Sequence, residues 1–204
     1  LPLCRRFGLQ AAVERERTGF YPAGGGRATL HLAPSSLSPL SLGDRGSLAA
    51  ARVYSLASTD LADSEVARRQ ARAARDRLDD HDIPIEATHE ITVETRSTGS
   101  ALAIDLTYEG GRGGFDALGE RGVPAEEVAA TATDEAVAFH ERSPAPAVDR
   151  HLADQLLVFL ALAGGELRVP ELTDHVETSL SVLDAFGYDL GVDRSGPLPT
   201  VRSG

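Results

Sequence analysis

A histidine at position 175 stands where an imidazole could act as a nucleophile. It closes the segment Leu172-Thr173-Asp174-His175, and the following pattern predicts a helix from about Asp174 to Phe186, capped by Thr173. The dipole at the start of a helix disfavours imidazolium and favours the neutral ring, whose free nitrogen can attack an electrophile. The same helix end can receive a phosphate on its free backbone N–H groups. From spacing alone, however, a capping or surface histidine is the simpler interpretation.

A second polar group lies in the segment His151-Leu152-Ala153-Asp154-Gln155. On a helix, His151 and Gln155 share one face, and Asp154 lies one turn from His151. The flat ring could stack on a base, the carboxylate could hold a divalent metal, and the amide could contact an adenine edge or a phosphate. The alternative is an ordinary solvated helix face, which the spacing alone favours.

The other motifs indicate structure more than chemistry. Glycine-rich stretches at 24–26 and 110–114 lack the spacing and the following helix of a nucleotide-binding loop, so a tight turn and a hairpin are expected. None of the other histidines has a second His or Cys at a metal-ligand spacing. Arg68, Arg72 and Arg75 fall on one face of a predicted helix. That face could meet RNA phosphates, but a solvated face paired with nearby acids is the favoured interpretation.

The composition restricts the class of protein. The 204 residues include 31 Asp or Glu and 20 basic residues, all of them arginine, which gives a formal net charge of −11. Such a chain indicates a salt-adapted source, and its field repels a phosphate polymer unless salt screens it. No apolar run approaches the roughly 20 residues that span a bilayer, and no signal-peptide pattern begins the chain. A cytoplasmic protein with no membrane partner is therefore expected, and the single Cys4 excludes an intramolecular disulfide.

Strand patterns and helix patterns are mixed along the chain. Strands are predicted at 10–17, 27–32, 49–57, 85–95, 101–108, 115–118 and 167–169, and helices at 64–78, 124–140, 147–163 and 174–186. The fold class is therefore α/β or α+β. Connectors rich in Pro, Ser and Gly at 33–46 and 141–147 indicate a module inserted between two pieces of one larger domain.

Several segments, taken in order, resemble one known family. They are Gly19-Phe20-Tyr21-Pro22-Ala23-Gly24-Gly25-Gly26, Leu118-Gly119-Glu120-Arg121-Gly122, Pro124-Ala125-Glu126-Glu127-Val128, His151-Leu152-Ala153-Asp154-Gln155-Leu156, Ala161-Leu162-Ala163-Gly164-Gly165 and Leu172-Thr173-Asp174-His175. Each segment alone is modest evidence of a relationship, but the order and spacing of the set from near Leu1 to about Phe186 are specific to the family. The chain resembles the carboxy-terminal part of the RNA 3'-terminal phosphate cyclases.

The resemblance implies a fold with two parts, a large domain of repeated β-α-β-type units and a smaller inserted α/β domain. Residues 1–43 and 144–190 would then be pieces of the large domain, residues 44–143 the insert, and residues 191–204 a loose tail. The family's chain is longer at the amino end. A missing amino-terminal segment, which would carry further ATP and RNA contacts, therefore stays open.

The resemblance also implies a reaction in which a histidine attacks ATP and an RNA 3'-phosphate becomes a 2',3'-cyclic phosphate. By position, His175 matches the nucleophile and His151 an aromatic residue that stacks on adenine. Asp154 matches a metal-proximal acid and Gln155 an adjacent nucleotide contact. The expected cofactors are ATP with Mg²⁺ or Mn²⁺, and the expected partner is an RNA with a 3'-phosphate end.

Other interpretations stay open beside this one. A non-catalytic relative that acts in ribosome assembly would lack the nucleophilic histidine, so His175 favours the enzyme. An inactive, amino-terminally truncated fragment is a further alternative, and so is a homo-oligomer. Two departures from the family pattern bear on activity. Val176-Glu177-Thr178-Ser179 follows His175 where the family more often has an Asn after the Thr, and the segment after Gly187 is unlike the usual terminal strands.

Overall fold

The structure, a computed structural model, describes residues 1–203 and mixes helices with strands throughout. The helices are α1 (Pro2–Arg6), α2 (Val66–Asp79), α3 (Ala125–Glu141), α4 (Arg150–Gln155), α5 (Leu157–Ala163) and α6 (Asp174–Ala185). The strands are β1 (Ala11–Arg17), β2 (Arg27–Leu32), β3 (Leu40–Leu42), β4 (Leu48–Ser58), β5 (Ile85–Val93), β6 (Ser100–Tyr108), β7 (Arg112–Gly119), β8 (Gly165–Arg168), β9 (Gly191–Asp193) and β10 (Thr200–Ser203). The mixed α/β class expected from the sequence is confirmed.

The middle of the chain forms a four-stranded sheet, called here the inserted sheet, with the order β5-β4-β6-β7. β4 and β5 are parallel, and the other two pairs are antiparallel. Side chains alternate along β4, so Ala51 and Val53 are buried on the face that α2 covers. Arg52 and Tyr54 therefore lie on the opposite, open face of the sheet.

A strand from the first part of the chain and three strands from its last part form a second sheet, called here the terminal sheet, with the order β3-β8-β10-β9. β3 runs parallel to β8, and β10 is antiparallel to both of its neighbours. Its core joins Leu42 from the first part of the chain to Leu167 and Val201 from the last part, packed with Leu156 and Leu160. The buried apolar residues of the inserted sheet and of the terminal sheet form two separate clusters.

The expectation of a loose tail after residue 190 is wrong for the residues that the structure describes. Gly191–Asp193 and Thr200–Ser203 are strands of the terminal sheet, Val201 is fully buried and Leu198 is 5% exposed. These strands are three and four residues long, too short for alternation to reveal them. Pairing with β8 defines β10, and pairing with β10 defines β9. Gly204, the last residue of the expected tail, lies outside the described residues.

The helix expected over 147–163 is two helices. α4 begins at Arg150, with Asp149 as its N-cap, and it is separated from α5 by Leu156. The apolar stripe runs on through Leu156, Leu157 and Leu160, all fully or nearly fully buried, so the periodicity carried no sign of the break. The sequence pattern also did not predict β3, because this strand is only three residues long and lies inside the connector expected at 33–46.

β1 and β2 form a separate hairpin, and Val13, Leu30 and Leu32 on it are each more than half exposed. In the loop between these strands, Gly24 and Gly25 have φ values of 58° and 79°, as the expected tight turn requires. The glycine-rich stretch 110–114 is a hairpin between β6 and β7, also as expected. Within residues 1–203, the structure contains no helix that is both long enough and apolar enough to cross a membrane.

Candidate functional site

His151 and Gln155 line one cleft, as expected for two residues one helical turn apart on α4. The cleft has a volume of about 780 Å³, and the open face of the inserted sheet forms another of its walls. From that wall Tyr54 contributes an aromatic ring and Arg112 a guanidinium group. An imidazole, an amide and a phenol around one cleft of this size suit a ligand of nucleotide dimensions.

Asp154 lies on α4 but is not among the residues that line the cleft. Its side chain is half-buried. Within residues 1–203, no group of three or more His, Cys, Asp or Glu side chains is arranged to hold a metal ion. The residues present therefore do not form a metal site by themselves, and the assignment of Asp154 to a metal stays a prediction.

His175 is the second residue of α6 and is exposed to solvent. Thr173 caps this helix, and its side-chain oxygen accepts a hydrogen bond from the Val176 backbone N–H at 3.2 Å. The predicted helix and its cap are therefore confirmed. Two carboxylates, Asp174 and Glu177, share the first turn with His175, and they compete with phosphate for the positive helix end.

The two helices that carry the candidate side chains are neighbours in one cluster. α6 packs against α4 and α5, with Val176 and Leu183 buried among the apolar residues of the terminal sheet. His175 nevertheless does not line the cleft. The structure brings His151 and Gln155 together and leaves His175 and Asp154 outside the space between α4 and the inserted sheet.

Sequence reasoning missed Asp149, which organises the start of α4. Its side chain accepts hydrogen bonds from the backbone N–H groups of His151 and Leu152, at 2.7 and 2.8 Å. Its other oxygen accepts a hydrogen bond from the Gly114 backbone N–H on β7, at 2.9 Å. An aspartate just before a helical pattern is a common N-cap signal and could have been noticed. The bond to Gly114 has no local signal because the two residues are far apart in the chain.

The wall formed by the inserted sheet carries paired charges rather than a free basic surface. Arg112 pairs with Asp105 at 2.6 Å, and Arg52 pairs with Glu86 at 2.7 Å and with Asp105 at 3.5 Å. Tyr54 stacks on His89, with ring centroids 4.8 Å apart and an interplanar angle of 11°. The wall therefore offers a flat aromatic surface whose neighbouring arginines are already neutralised by carboxylates.

Arg45 fixes the inserted unit at the point where the chain enters and leaves it. Its guanidinium lies 4.9 Å from the ring centroids of both Tyr108 and Phe139, and it donates to the carbonyl oxygens of Phe139 and His140. Burial lowers the pKa of Arg45 and raises the pKa of Tyr108 to about 12. Burial, together with the charge of Arg45, also lowers the pKa of His140. These contacts join the segment before β4 to β6 and to the end of α3.

The arginine-rich face of α2 has the solvated arrangement that the charge pattern favoured. Arg68 pairs with Glu65 at 2.8 Å, and Arg72 pairs with Asp76 at 3.7 Å. All four side chains are more than half exposed. Such exposed pairs contribute little to stability and give no evidence of an RNA-binding surface.

Comparison with known proteins identifies the family. The family of RNA 3'-terminal phosphate cyclases matches residues 1–189. The RNA 3'-terminal phosphate cyclase of Halobacterium salinarum R1 is 46% identical over 96% of this chain and 55% of its own length. That of Thermococcus onnurineus is 39% identical over 89% of this chain and 52% of its own length. That of Pseudomonas fluorescens Pf-5 is 36% identical over 91% and 53%.

The matched region covers most of this chain but only part of its relatives. The chain spans about half the length of the curated relatives that it matches. The match includes both candidate segments, at 151–155 and 172–175. The resemblance drawn from the ordered motifs is thereby confirmed, and the chain belongs to the RNA 3'-terminal phosphate cyclase family.

Proposed function

We propose that this chain supplies the nucleophile and one side of the nucleotide site of an ATP-dependent RNA 3'-terminal phosphate cyclase. A ring nitrogen of His175 attacks the α-phosphorus of ATP, which forms a histidine–AMP bond and releases pyrophosphate. The RNA 3'-phosphate then takes the AMP and frees the histidine. The vicinal 2'-hydroxyl attacks the activated phosphate, closes the 2',3'-cyclic phosphate and expels AMP. Each step transfers one phosphoryl or adenylyl group and needs no redox partner.

The observation that carries the proposal is the placement of His151 and Gln155. They share a cleft of about 780 Å³ on α4, and α4 packs against the helix whose first turn carries His175. The His151 ring offers a stacking surface for adenine, and stacking of this kind is worth about 1–3 kcal/mol per base. The Gln155 amide can both donate to and accept from the edge of the base.

The position of His175 supports its role as the nucleophile more than it supports a role in base binding. Its ring is exposed, and within residues 1–203 it makes no hydrogen bond or ion pair that would hold it away from a substrate. Exposure leaves room for the α-phosphate and for the RNA end. ATP must then reach from the cleft on α4 to the start of α6, with its base at one helix and its phosphates at the other.

A non-catalytic role in binding is the second candidate, and one observation favours it. Asp174 and Glu177 flank His175, and repulsion by their carboxylates disfavours a triphosphate at this helix end. The presence of a histidine at the position expected for the nucleophile favours the enzyme. Magnesium or manganese bound to the phosphates of ATP would reduce that repulsion, and Asp154 is the carboxylate proposed to contact the ion.

The test uses ATP labelled on its α-phosphate, with Mg²⁺ or Mn²⁺. We expect an acid-labile, hydroxylamine-sensitive adduct on the chain, alone or mixed with the amino-terminal part of a relative. His175→Ala should abolish the adduct. His31→Ala is the matched control, because His31 is an exposed histidine on the distant hairpin strand β2.

Two results would contradict the proposal. Equal labelling of His175→Ala and the wild type would remove His175 from the nucleophile's role. No labelling of the wild type under any of these conditions would favour the non-catalytic alternative.

A further inference from the structure

We propose that Asp149 is a positioning residue that holds the nucleotide-contacting face of α4 against the inserted sheet. The proposal rests on the function proposed above, because it concerns how His151 and Gln155 come to face the cleft. Asp149 itself is 3% exposed and is not expected to touch the base. It acts through the backbone of α4 on one side and the backbone of β7 on the other.

One carboxylate oxygen fixes the start of α4. It accepts hydrogen bonds from the N–H groups of His151 and Leu152, at 2.7 and 2.8 Å. These are two of the donors that the first turn of a helix leaves without partners. His151 is the second residue of α4, so the cap directly orders the backbone that carries its ring. Gln155 lies one turn further on, on the same face.

The other oxygen reaches the inserted sheet. It accepts a hydrogen bond from the Gly114 N–H at 2.9 Å, across 35 positions of the chain. The backbone just before Asp149 runs along the same strand: the Arg112 N–H donates to the Ala147 carbonyl oxygen at 3.0 Å, and Arg112 and Val148 form a parallel bridge. A short backbone pairing with β7 therefore ends at Asp149, and α4 begins directly after it.

This arrangement relates the two walls of the cleft. Gly114 and Arg112 of β7 line the cleft from the side of the inserted sheet, while His151 and Gln155 line it from the side of α4. Asp149 is a lining residue between them. A loss of its bond to Gly114 would let α4 and the inserted sheet move apart, even if the helix remained capped. Misplacement of a binding group by about 1 Å can cost about 10²-fold in enzyme rate.

The variant Asp149→Asn distinguishes the two roles of the carboxylate, which are to cap α4 and to bind the Gly114 N–H. Asp149→Asn keeps one oxygen, which can still cap α4, but places an NH₂ group opposite the Gly114 N–H, where two donors meet. Asp149→Ala removes both the cap of α4 and the bond to Gly114. Ile83→Val is the control for lost stability, because Ile83 is 1% exposed in the core beside the inserted sheet and does not line the cleft.

The experiment measures two quantities on the same full chain. Amide hydrogen exchange reports the hydrogen bonds of Gly114, His151 and Leu152, and calorimetric titration reports the affinity for ATP with Mg²⁺. For Asp149→Asn we expect faster exchange at Gly114, retained protection at His151 and Leu152, and ATP binding about tenfold weaker. For Asp149→Ala we expect faster exchange at all three amides. Ile83→Val should lower the unfolding temperature and leave the ATP affinity unchanged.

The outcomes distinguish this proposal from the proposed function. Unchanged hydrogen exchange at Gly114 in Asp149→Asn would overturn the link between α4 and β7, whatever the affinity of that variant for ATP. Faster exchange at Gly114 with an unchanged ATP affinity would overturn the positioning role and leave Asp149 as a structural cap. If the wild type binds no ATP, even when it is mixed with the amino-terminal part of a relative, the proposed function fails, and the positioning role fails with it. The exchange data would then still decide whether the link exists.

Discussion

The starts of α4 and α6 are alike in sequence and different in their surroundings. Each helix has a side-chain cap, Asp149 or Thr173, and each has a histidine as its second residue, His151 or His175. Local rules alone would give the two histidines one role. The cap of α4, however, is buried and bonded to β7, and this helix start opens on a cleft. The start of α6 lies outside the cleft and is flanked by carboxylates. A histidine at a helix start therefore acquires its role from what lies opposite the helix end.

The caps differ in the same way. The Asp149 carboxylate is almost fully buried and has three backbone donors, one of them on another sheet. The Thr173 hydroxyl has one donor, within its own helix. The Asp149 cap joins α4 to β7, whereas the Thr173 cap binds only a backbone N–H of its own helix.

The largest expected difference between the two histidines is chemical. If His175 is the nucleophile, as proposed, His175→Ala should reduce the histidine–AMP adduct by about 10³-fold or more, because only binding is left. His151→Ala should still form the adduct at saturating ATP, since the role proposed for His151 is only a base contact. The α-phosphate label retained on the chain after denaturation at alkaline pH, where the acid-labile bond survives, measures both. Loss of the adduct in His151→Ala but not in His175→Ala would reverse the two assignments.

A smaller effect is expected on the affinity for ATP. His151→Ala should weaken binding by about 1–3 kcal/mol, the usual contribution of a stacked base, and His151→Tyr should bind at least as well as the wild type. His175→Ala should change the affinity little, because His175 lies outside the cleft. Titration calorimetry of the wild type and the three variants gives the four dissociation constants. If His175→Ala weakens binding as much as His151→Ala does, the comparison of the two helix ends fails.

The two caps should differ in what they contribute to stability. Asp149→Ala leaves three buried or half-buried donors without a partner and should lower the free energy of unfolding by about 2 kcal/mol. Thr173→Ala removes a single cap bond and should cost about 1 kcal/mol. Urea unfolding followed by circular dichroism measures the difference. Equal losses would indicate that the bond to Gly114 adds nothing.

The smallest expected effect is on the pH dependence of stability, and it comes from a third histidine, His140, at the end of a helix. His140 lies in the last turn of α3, where a helix favours a positive charge, yet burial and the charge of Arg45 lower its pKa. The unfolded chain therefore takes up the proton first. The contribution of His140 to stability is complete above the ordinary histidine pKa of 6.5 and is lost as the pH falls through the lower pKa of the folded state.

Two measurements check this pH dependence. An NMR titration of the His140 ring should give a midpoint below that of an unfolded reference peptide. The unfolding temperature of the wild type should fall more steeply below pH 6.5 than that of His140→Asn, which keeps a polar side chain near Tyr108. A midpoint at or above the reference would mean that the helix end outweighs burial and Arg45.

The sequence predicted those features that depend on neighbours along the chain. Thr173 and the apolar positions that follow it predicted α6, because capping and the helical period are local. Alternation predicted the strand β6, since one of its faces is buried under helices. The ordered motifs also predicted the family, which the comparison with known proteins confirmed.

The features that the sequence did not predict depend on distant partners. β10 is only four residues long, and it is a strand because β8 and β9 pair with it on both sides. The cleft exists because the inserted sheet is held beside α4 by contacts that span many residues, such as the bond from Gly114 to Asp149. Periodicity and capping fix each element from within, whereas hydrogen bonds across the fold fix where the elements meet. For this protein the local sequence therefore specified the start of α6, which carries His175. Only long-range pairing and packing placed His151 in a cleft and left His175 outside it.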